Sequence, residues 1–238
     1  MFLERMKTTD FDPKKKYVFV VSMGATEQHG PFLPLGTDSY IQEAIIQRME
    51  KVVTEAIFLP TLRITCSKEH SGFPGSVWIE KETMEKVLHD ICASLQPYAR
   101  GIALISWHGG NIGMLNRFVE TNKNSFSGVR LEHLTCDSEE ILKKTADILG
   151  GPVDEHAGNS EISMVLPIEP SLVTIPPKDY PKQKIENAWD SDRLVDVSKD
   201  GIVDNHPKWV INKEMGEQFI QMEVQELNMQ LEKMMKSE

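Results

Sequence analysis

An alternation along the chain restricts the fold more than any other feature. Short apolar runs rich in β-branched residues recur, and longer stretches with apolar residues at spacings of three and four follow them. Consecutive apolar positions suit a strand buried on both faces, and the wider spacing puts one apolar stripe on a helix. The chain therefore reads as βα units around a largely parallel sheet, an α/β fold. Strands are expected at Tyr17 to Gly24, Ala56 to Leu59, Gly101 to Trp107 and Val129 to Leu134. Helices are expected at Ser39 to Val53, Lys81 to Gln96, Ile112 to Asn122 and Ser138 to Leu149. Pro167, Pro170, Pro176, Pro177 and Pro181 predict an extended excursion from Leu166 to Pro181. A last helix, Lys213 to Met235, carries a stripe of Phe219, Met222, Val224, Leu227, Leu231 and Met234, suited to docking on the core or on another subunit. No repeat or composition break divides the 238 residues, so one domain over 1–238 is expected.

Lys plus Arg total 26 against 36 Asp plus Glu, a formal charge of -10, which removes any net attraction to nucleic acid or anionic lipid. The longest apolar run, Tyr17 to Val21, is far short of the roughly 20 residues that cross a bilayer. The first residues lack an apolar stretch and a cleavage site, so no secretory signal is expected. Cys66, Cys92 and Cys136 are widely spaced, which suits reduced thiols and a cytoplasmic protein.

Residues able to bind metals gather just after the apolar runs, at the edge of an α/β sheet where ligands bind. The first cluster runs from Glu27 and His29 through a Gly/Pro loop to Asp38; an extended Glu-x-His turns both side chains the same way. Next comes His108 in Trp107-His108-Gly109-Gly110-Asn111, where the glycines allow close backbone approach. Last is Asp154-Glu155-His156-Ala157-Gly158 with Glu161; a helix starting near His156 puts Glu161 in its neighbourhood without making the two parallel. Plainer readings stand beside each: Asp38 as a helix cap, His108 as a core histidine, Glu155 as a solvated acid. Together the clusters supply the Glu, His and Asp donors that hold two divalent cations bridged by one carboxylate, such as Asp38. Two such cations lower the pKa of a bridging water toward about 7, which makes hydroxide available at neutral pH.

These residues resemble the creatininase (creatinine amidohydrolase) family. The matching pieces are Gly24-Ala25-Thr26-Glu27-Gln28-His29-Gly30-Pro31, Leu33-Pro34-Leu35-Gly36-Thr37-Asp38, Glu69-His70-Ser71-Gly72-Phe73-Pro74-Gly75-Ser76, Trp107-His108-Gly109-Gly110-Asn111, and Glu155-His156-Ala157-Gly158 with Glu161-Ile162-Ser163. They stand in the family's order. The resemblance implies one three-layer αβα domain and a binuclear site of zinc with manganese or iron. It also implies hydrolysis of a carbon-nitrogen bond in a cyclic amide, formamide or peptide, a small-molecule substrate, and a homo-oligomer, commonly a hexamer. By the same resemblance Glu27 and His108 bind one metal, His29 the other, Asp38 bridges both, and His156 is the acid/base histidine.

Two departures bear on this transfer. Creatininase proper has a glutamate ligand where this chain has Gly110, and Glu161 is the natural replacement. It also stacks its flat substrate on a tryptophan where this chain has Pro152, which argues against creatinine itself. The motifs name no substrate contact. A binuclear phosphoesterase is the competing enzyme reading, opposed by the placement of every arginine outside the three clusters. A structural-metal assembly protein is the competing non-enzyme reading, opposed by the glycines that keep the site open. Trp78 reads as a packing residue, His70 as an entrance or loop residue, and Asp204 to Pro207 as a surface turn.

Overall fold

The computed structural model describes residues 1–12, 14–136 and 138–236; Pro13, Asp137, Ser237 and Glu238 lie outside it. In chain order the elements are β1 (Tyr17–Met23), α1 (Thr37–Val52), β2 (Ala56–Phe58), α2 (Lys81–Leu95), β3 (Ala99–Ser106), α3 (Gly109–Asn122), β4 (Arg130–Leu134), α4 (Glu139–Leu149), α5 (Asn159–Ile168) and α6 (Lys213–Lys236). The strands form one parallel sheet in the order β2-β1-β3-β4. β1 is central and buried at every residue, as its unbroken apolar run requires.

Alternate residues feed two cores. Val18, Val20, Ala103, Ile105 and Leu134 face one side, where α1, α5 and α6 pack. Phe19, Val21, Met23, Ile102 and Leu104 face the other, where α2 and α3 supply Met84, Leu88, Met114 and Phe118. The result is a three-layer α/β arrangement. α1 carries the chain from β1 outward to β2 on one face, and α2 brings it back past β1 to β3 on the other. The crossovers diverge between β1 and β3, and such a switch point opens a crevice at the carboxyl ends of those strands.

Two expectations need correction here. α5 begins at Asn159, after His156, and runs through Pro167 to Ile168, so the proline-containing excursion starts later than expected. A late proline is tolerated because Pro167 removes only the N–H that would have reached the Ser163 carbonyl. α6 packs directly over that carbonyl: a Cβ on Gly216 would lie 1.8 Å from Ser163 O. Gly216→Ala should therefore push α6 off α5 and cost roughly 1–3 kcal/mol or more. A lower urea midpoint with unchanged m-value is the expected result; an unchanged midpoint would show that the helices yield freely. The apolar stripe of α6 accordingly docks on the chain's own core.

The second correction concerns Asp204 and His206, which are buried and form no surface turn. Asp204 Oδ2 accepts from Asn159 N at 3.1 Å and pairs with Lys182 Nζ at 2.6 Å, while Asp154 Oδ1 accepts from Ser160 N at 2.8 Å. These acids satisfy the open N–H groups at the start of α5, since its N-cap is Gly158 and offers no side chain. Trp78, read as a packing residue, is 37% exposed.

Candidate metal centre

The crevice between β1 and β3 brings together Glu27, His29, Asp38, His108, His156 and Glu161. Gly24 follows β1, and a Cβ there would lie 2.6 Å from Ser39 Cα, so only glycine lets the first turn of α1 close onto the strand end. That contact carries Asp38, the second residue of α1, beneath Glu27 and His29. α1 has no side-chain cap at its Gly36 N-cap, so Asp38 is not spent on capping. His108 stands at the start of α3, and Glu161 reaches in from the first turn of α5. Glu27, His29, Asp38, His108 and His156 are all at most 5% exposed.

The donor atoms fall into overlapping groups. Glu27, Asp38 and His108 form one, and His29, Asp38 and Glu161 another, each with ligand atoms within 4.8 Å of one another. Asp38 belongs to both: Oδ1 is 3.2 Å from His29 Nε2, and Oδ2 is 3.4 Å from His108 Nδ1. His108 Nδ1 is 3.3 Å from Glu27 Oε1, and His29 Nε2 is 3.8 Å from Glu161 Oε2. Glu27, His29 and His156 make a third grouping of the same size. Both carboxylate oxygens of Glu27 and Oδ2 of Asp38 are buried with no hydrogen-bond partner. Orphaned acceptors of this kind are costly unless a cation completes them, so the residues present fit a pair of divalent ions.

Backbone carbonyls set the histidine tautomers. His108 Nε2–H donates to the Cys66 carbonyl at 2.8 Å, and His29 Nδ1–H donates to the Glu27 carbonyl at 3.2 Å, which aims the other nitrogen of each ring at the acids. Gln28 gives its amide hydrogens to His70 Nδ1 at 3.0 Å and the Gly201 carbonyl at 3.1 Å. His156 Nε2, 2.9 Å from the same amide nitrogen, therefore carries its own proton and donates to the Gln28 carbonyl at 2.8 Å. Its Nδ1 is left facing the centre, 4.0 Å from Glu27 Oε1.

Sequence reasoning missed three members of this site. His70, in the loop between β2 and α2, borders the pocket as expected of an entrance or loop residue, but it is only 1% exposed and its Nε2 lies 3.1 Å from Glu27 Oε1, which makes it a buried member of the site. Gln28 stands between two ligand candidates, where strand alternation would point it away, but the turn folds it inward. Glu69 lies with Oε1 3.2 Å from His108 Nε2. A Cβ on residue 110 would come within 2.0 Å of that oxygen, 2.4 Å of His108 Nε2 and 2.8 Å of the Cys66 carbonyl oxygen, so a side chain there would have to shift backbone as well as the Glu69 carboxylate. Membership of the Glu69-His70 and Glu27-Gln28-His29 motifs was the available signal. Cys66 is no nucleophile: burial pushes its thiol up to about 11.

Glu27 and Glu161 hold their protons tightly, and Asp38 does not. Burial, only partly offset by His108, raises Glu27 to about 7, and burial against the pull of His29 raises Glu161 to about 8. For His29 burial acts downward, but Asp38 and Glu161 outweigh it and raise the ring to about 10. His108 is likewise raised, Glu27 and Asp38 overriding burial. Asp38 is held well below the usual range because His29 and His108 overcome its burial. Burial together with neighbouring histidines lowers His70 to about 3 and takes His156 well down.

Above pH 6.5 an unfolded chain has neutral histidines and ionised glutamates, whereas the folded Glu27, Glu161 and His29 still bind protons up to about 7, 8 and 10. The folded state then holds more protons, so chelator-stripped protein should lose stability as pH rises from about 7 to about 10. Between the ordinary glutamate range and 6.5 the extra protons on folded Glu27 and Glu161 offset those that unfolded His70 and His156 take up, and only below that range do the two histidines prevail and stability fall as pH falls. Divalent ions need deprotonated ligands, so loading should release protons and tighten with pH. Thermal melts and calorimetry in buffers of different ionisation enthalpy measure both; metal binding without proton release would contradict this charge balance.

A pocket of about 570 Å³ opens onto these residues. Trp189 borders it, its Nε1–H donating to Glu155 Oε2 at 2.8 Å and its ring 6.1 Å from that of His156.

The chain is similar to proteins of known kind. A mycofactocin precursor peptide peptidase of Mycobacterium tuberculosis is 29% identical over 170 residues, 68% of this chain and 62% of the peptidase, so the chain spans about three fifths of that relative. The creatinine amidohydrolase of Pseudomonas putida is 25% identical over 187 residues, covering 69% of this chain and 71% of that enzyme. Among solved structures, a creatininase variant of Zn-Zn type superposes with a TM-score of 0.77 at 17% identity, covering 99% of this chain and 98% of the other, a likeness of fold. The profile of the Creatininase family, creatinine amidohydrolase, matches residues 4–231, and the chain belongs to that family.

Proposed function

We propose that this protein is a metal-dependent amidohydrolase that cleaves a carbon-nitrogen bond, with a linear amide such as a peptide bond as the leading substrate class. The sharing of Asp38 between two buried donor groups beside an open pocket carries the reading. Glu27, Asp38 and His108 would hold one ion, and His29, Asp38 and Glu161 the other; we take zinc for one of the two, with manganese or iron as its companion. When bound, such a pair supplies Lewis-acid polarisation of a carbonyl and a water acidified to a pKa of about 7. His156, with Nε2–H fixed on the Gln28 carbonyl, presents Nδ1 to take a proton from the attacking water and deliver it to the departing nitrogen. His70, Gln28 and Glu69 hold Glu27, His156 and His108 in place.

The peptide preference rests on the peptidase relative and on Pro152 in place of creatininase's stacking tryptophan. Against a phosphoesterase, the described residues lining the pocket include no arginine. Against a purely structural metal site, the donors border a pocket of about 570 Å³, whereas structural sites are closed. Metal-loaded protein assayed on formamides, cyclic ureas and short peptides tests the function: turnover abolished by chelator is expected, and absence of any amide turnover with full metal content would reject it. We further propose that residues 1–238 act as one domain in a cytoplasmic homo-oligomer, with a hexamer expected in sedimentation and a monomer at micromolar concentration excluding it. No helix among the described residues is long and apolar enough to cross a membrane.

A further inference from the structure

The pocket has two unlike ends. One is the metal centre. The other is walled by Ile112 of α3, Ile141 and Leu142 of α4, Val153, Met164 of α5 and Phe219 of α6. Leu142 is 47% exposed, an apolar side chain left uncovered inside a concavity continuous with a reactive centre. Pockets of roughly 300–1,000 Å³ enclose ligands of many atoms, and at about 570 Å³ this one exceeds what a compact polar ring at the metal end would fill. Water along the apolar end would be released by any apolar group that reached it. Charge narrows the choice further. Glu69, Glu155 and Glu161 line the pocket, with Lys81 the sole lysine or arginine among its described residues, so a phosphorylated substrate meets little to balance its charge. Thr145 and Glu223 also border the apolar end and leave room for a polar atom there.

We propose that this chamber between α3, α4, α5 and α6 is the specificity pocket, taking an apolar side chain that flanks the scissile amide of an unphosphorylated, peptide-like substrate. The proposal rests on the amidohydrolase reading for its chemistry, but binding tests it separately. Acetohydroxamate and hexanohydroxamate share one metal-chelating head and differ only in tail length. Titrated into the metal-loaded full chain, the hexanoyl compound should bind at least about tenfold tighter, as burial of several methylenes requires. Leu142→Asp, a change at a half-exposed position compatible with folding, should bring the ratio of the two affinities toward unity. Equal affinity of the two hydroxamates for the unaltered protein overturns the chamber, as does failure of the hexanoyl compound to bind, or a ratio that Leu142→Asp leaves intact. Tail discrimination without turnover of any amide would uphold the chamber and reject the hydrolase. Amide turnover indifferent to an apolar flanking residue, with no tail discrimination, would do the reverse.

Discussion

Asp38→Ala is expected to strip the protein of both divalent ions at once, from about two per chain to near none, and to lower amidase turnover by on the order of 10³-fold or more. No other residue has that reach, because Asp38 alone lies in both the Glu27–His108 and the His29–Glu161 groups. Its two oxygens point to different histidines, 3.2 Å from His29 and 3.4 Å from His108. The fold should survive: α1 is not capped by this side chain, and Ser39 Oγ still donates to the Ala25 carbonyl at 2.8 Å to hold the first turn in place. Two measurements check the prediction. Elemental analysis should show the loss directly, and chelator should no longer lower Tm, because ions that stabilise the folded state by mass action are already gone. Glu161→Gln should empty one position only. An Asp38→Ala protein with full metal content would reject the bridging assignment.

His156→Ala should separate binding from chemistry. The ring lies beside the donors, and its Nδ1 could serve either as a proton carrier or as a ligand with Glu27 and His29. The 4.0 Å to Glu27 Oε1 and the fixed Nε2–H on the Gln28 carbonyl favour the carrier, set slightly back from the Asp38-centred groups. An amide nitrogen leaves poorly unless protonated, and general acid-base catalysis of such a step contributes roughly 10²- to 10⁴-fold. The variant should therefore keep both ions and nearly the same KM while kcat falls by that factor, most for the most basic leaving amines. Loss of one ion would make His156 a ligand; unchanged turnover would make it structural.

The fold was legible because its signals are local. An unbroken apolar run such as Tyr17 to Val21 has few alternatives to a doubly covered strand, and Lys81 to Leu95 carries its stripe through four turns of helix. The boundary that failed, at Leu166, failed because one proline near a helix end removes a single hydrogen bond, which Gly216 and α6 then cover. The ligand candidates were legible for a similar reason: Glu27, His29, Asp38, His108 and Glu161 all sit where strands or loops hand over to helices. His70 was not, because a histidine in a long loop looks the same in sequence whether it faces solvent or a buried glutamate.

What the sequence determined by itself was the α/β class, the parallel sheet and the chemical kinds of residue gathered at its edge, since each follows from patterns spanning a few neighbouring residues. What only the tertiary structure decided was which of those residues meet. Asp38 reaches both histidines because Gly24 lets α1 close on β1, and Glu161 joins His29 because Asp154 and Asp204 fix the start of α5. Gly110 suits its place because the Cys66 carbonyl and the His108 ring, with the Glu69 carboxylate from the same loop, crowd the space a Cβ would enter. Such meetings depend on distances between segments far apart in the chain, and those distances are set by packing across the sheet rather than by any local preference.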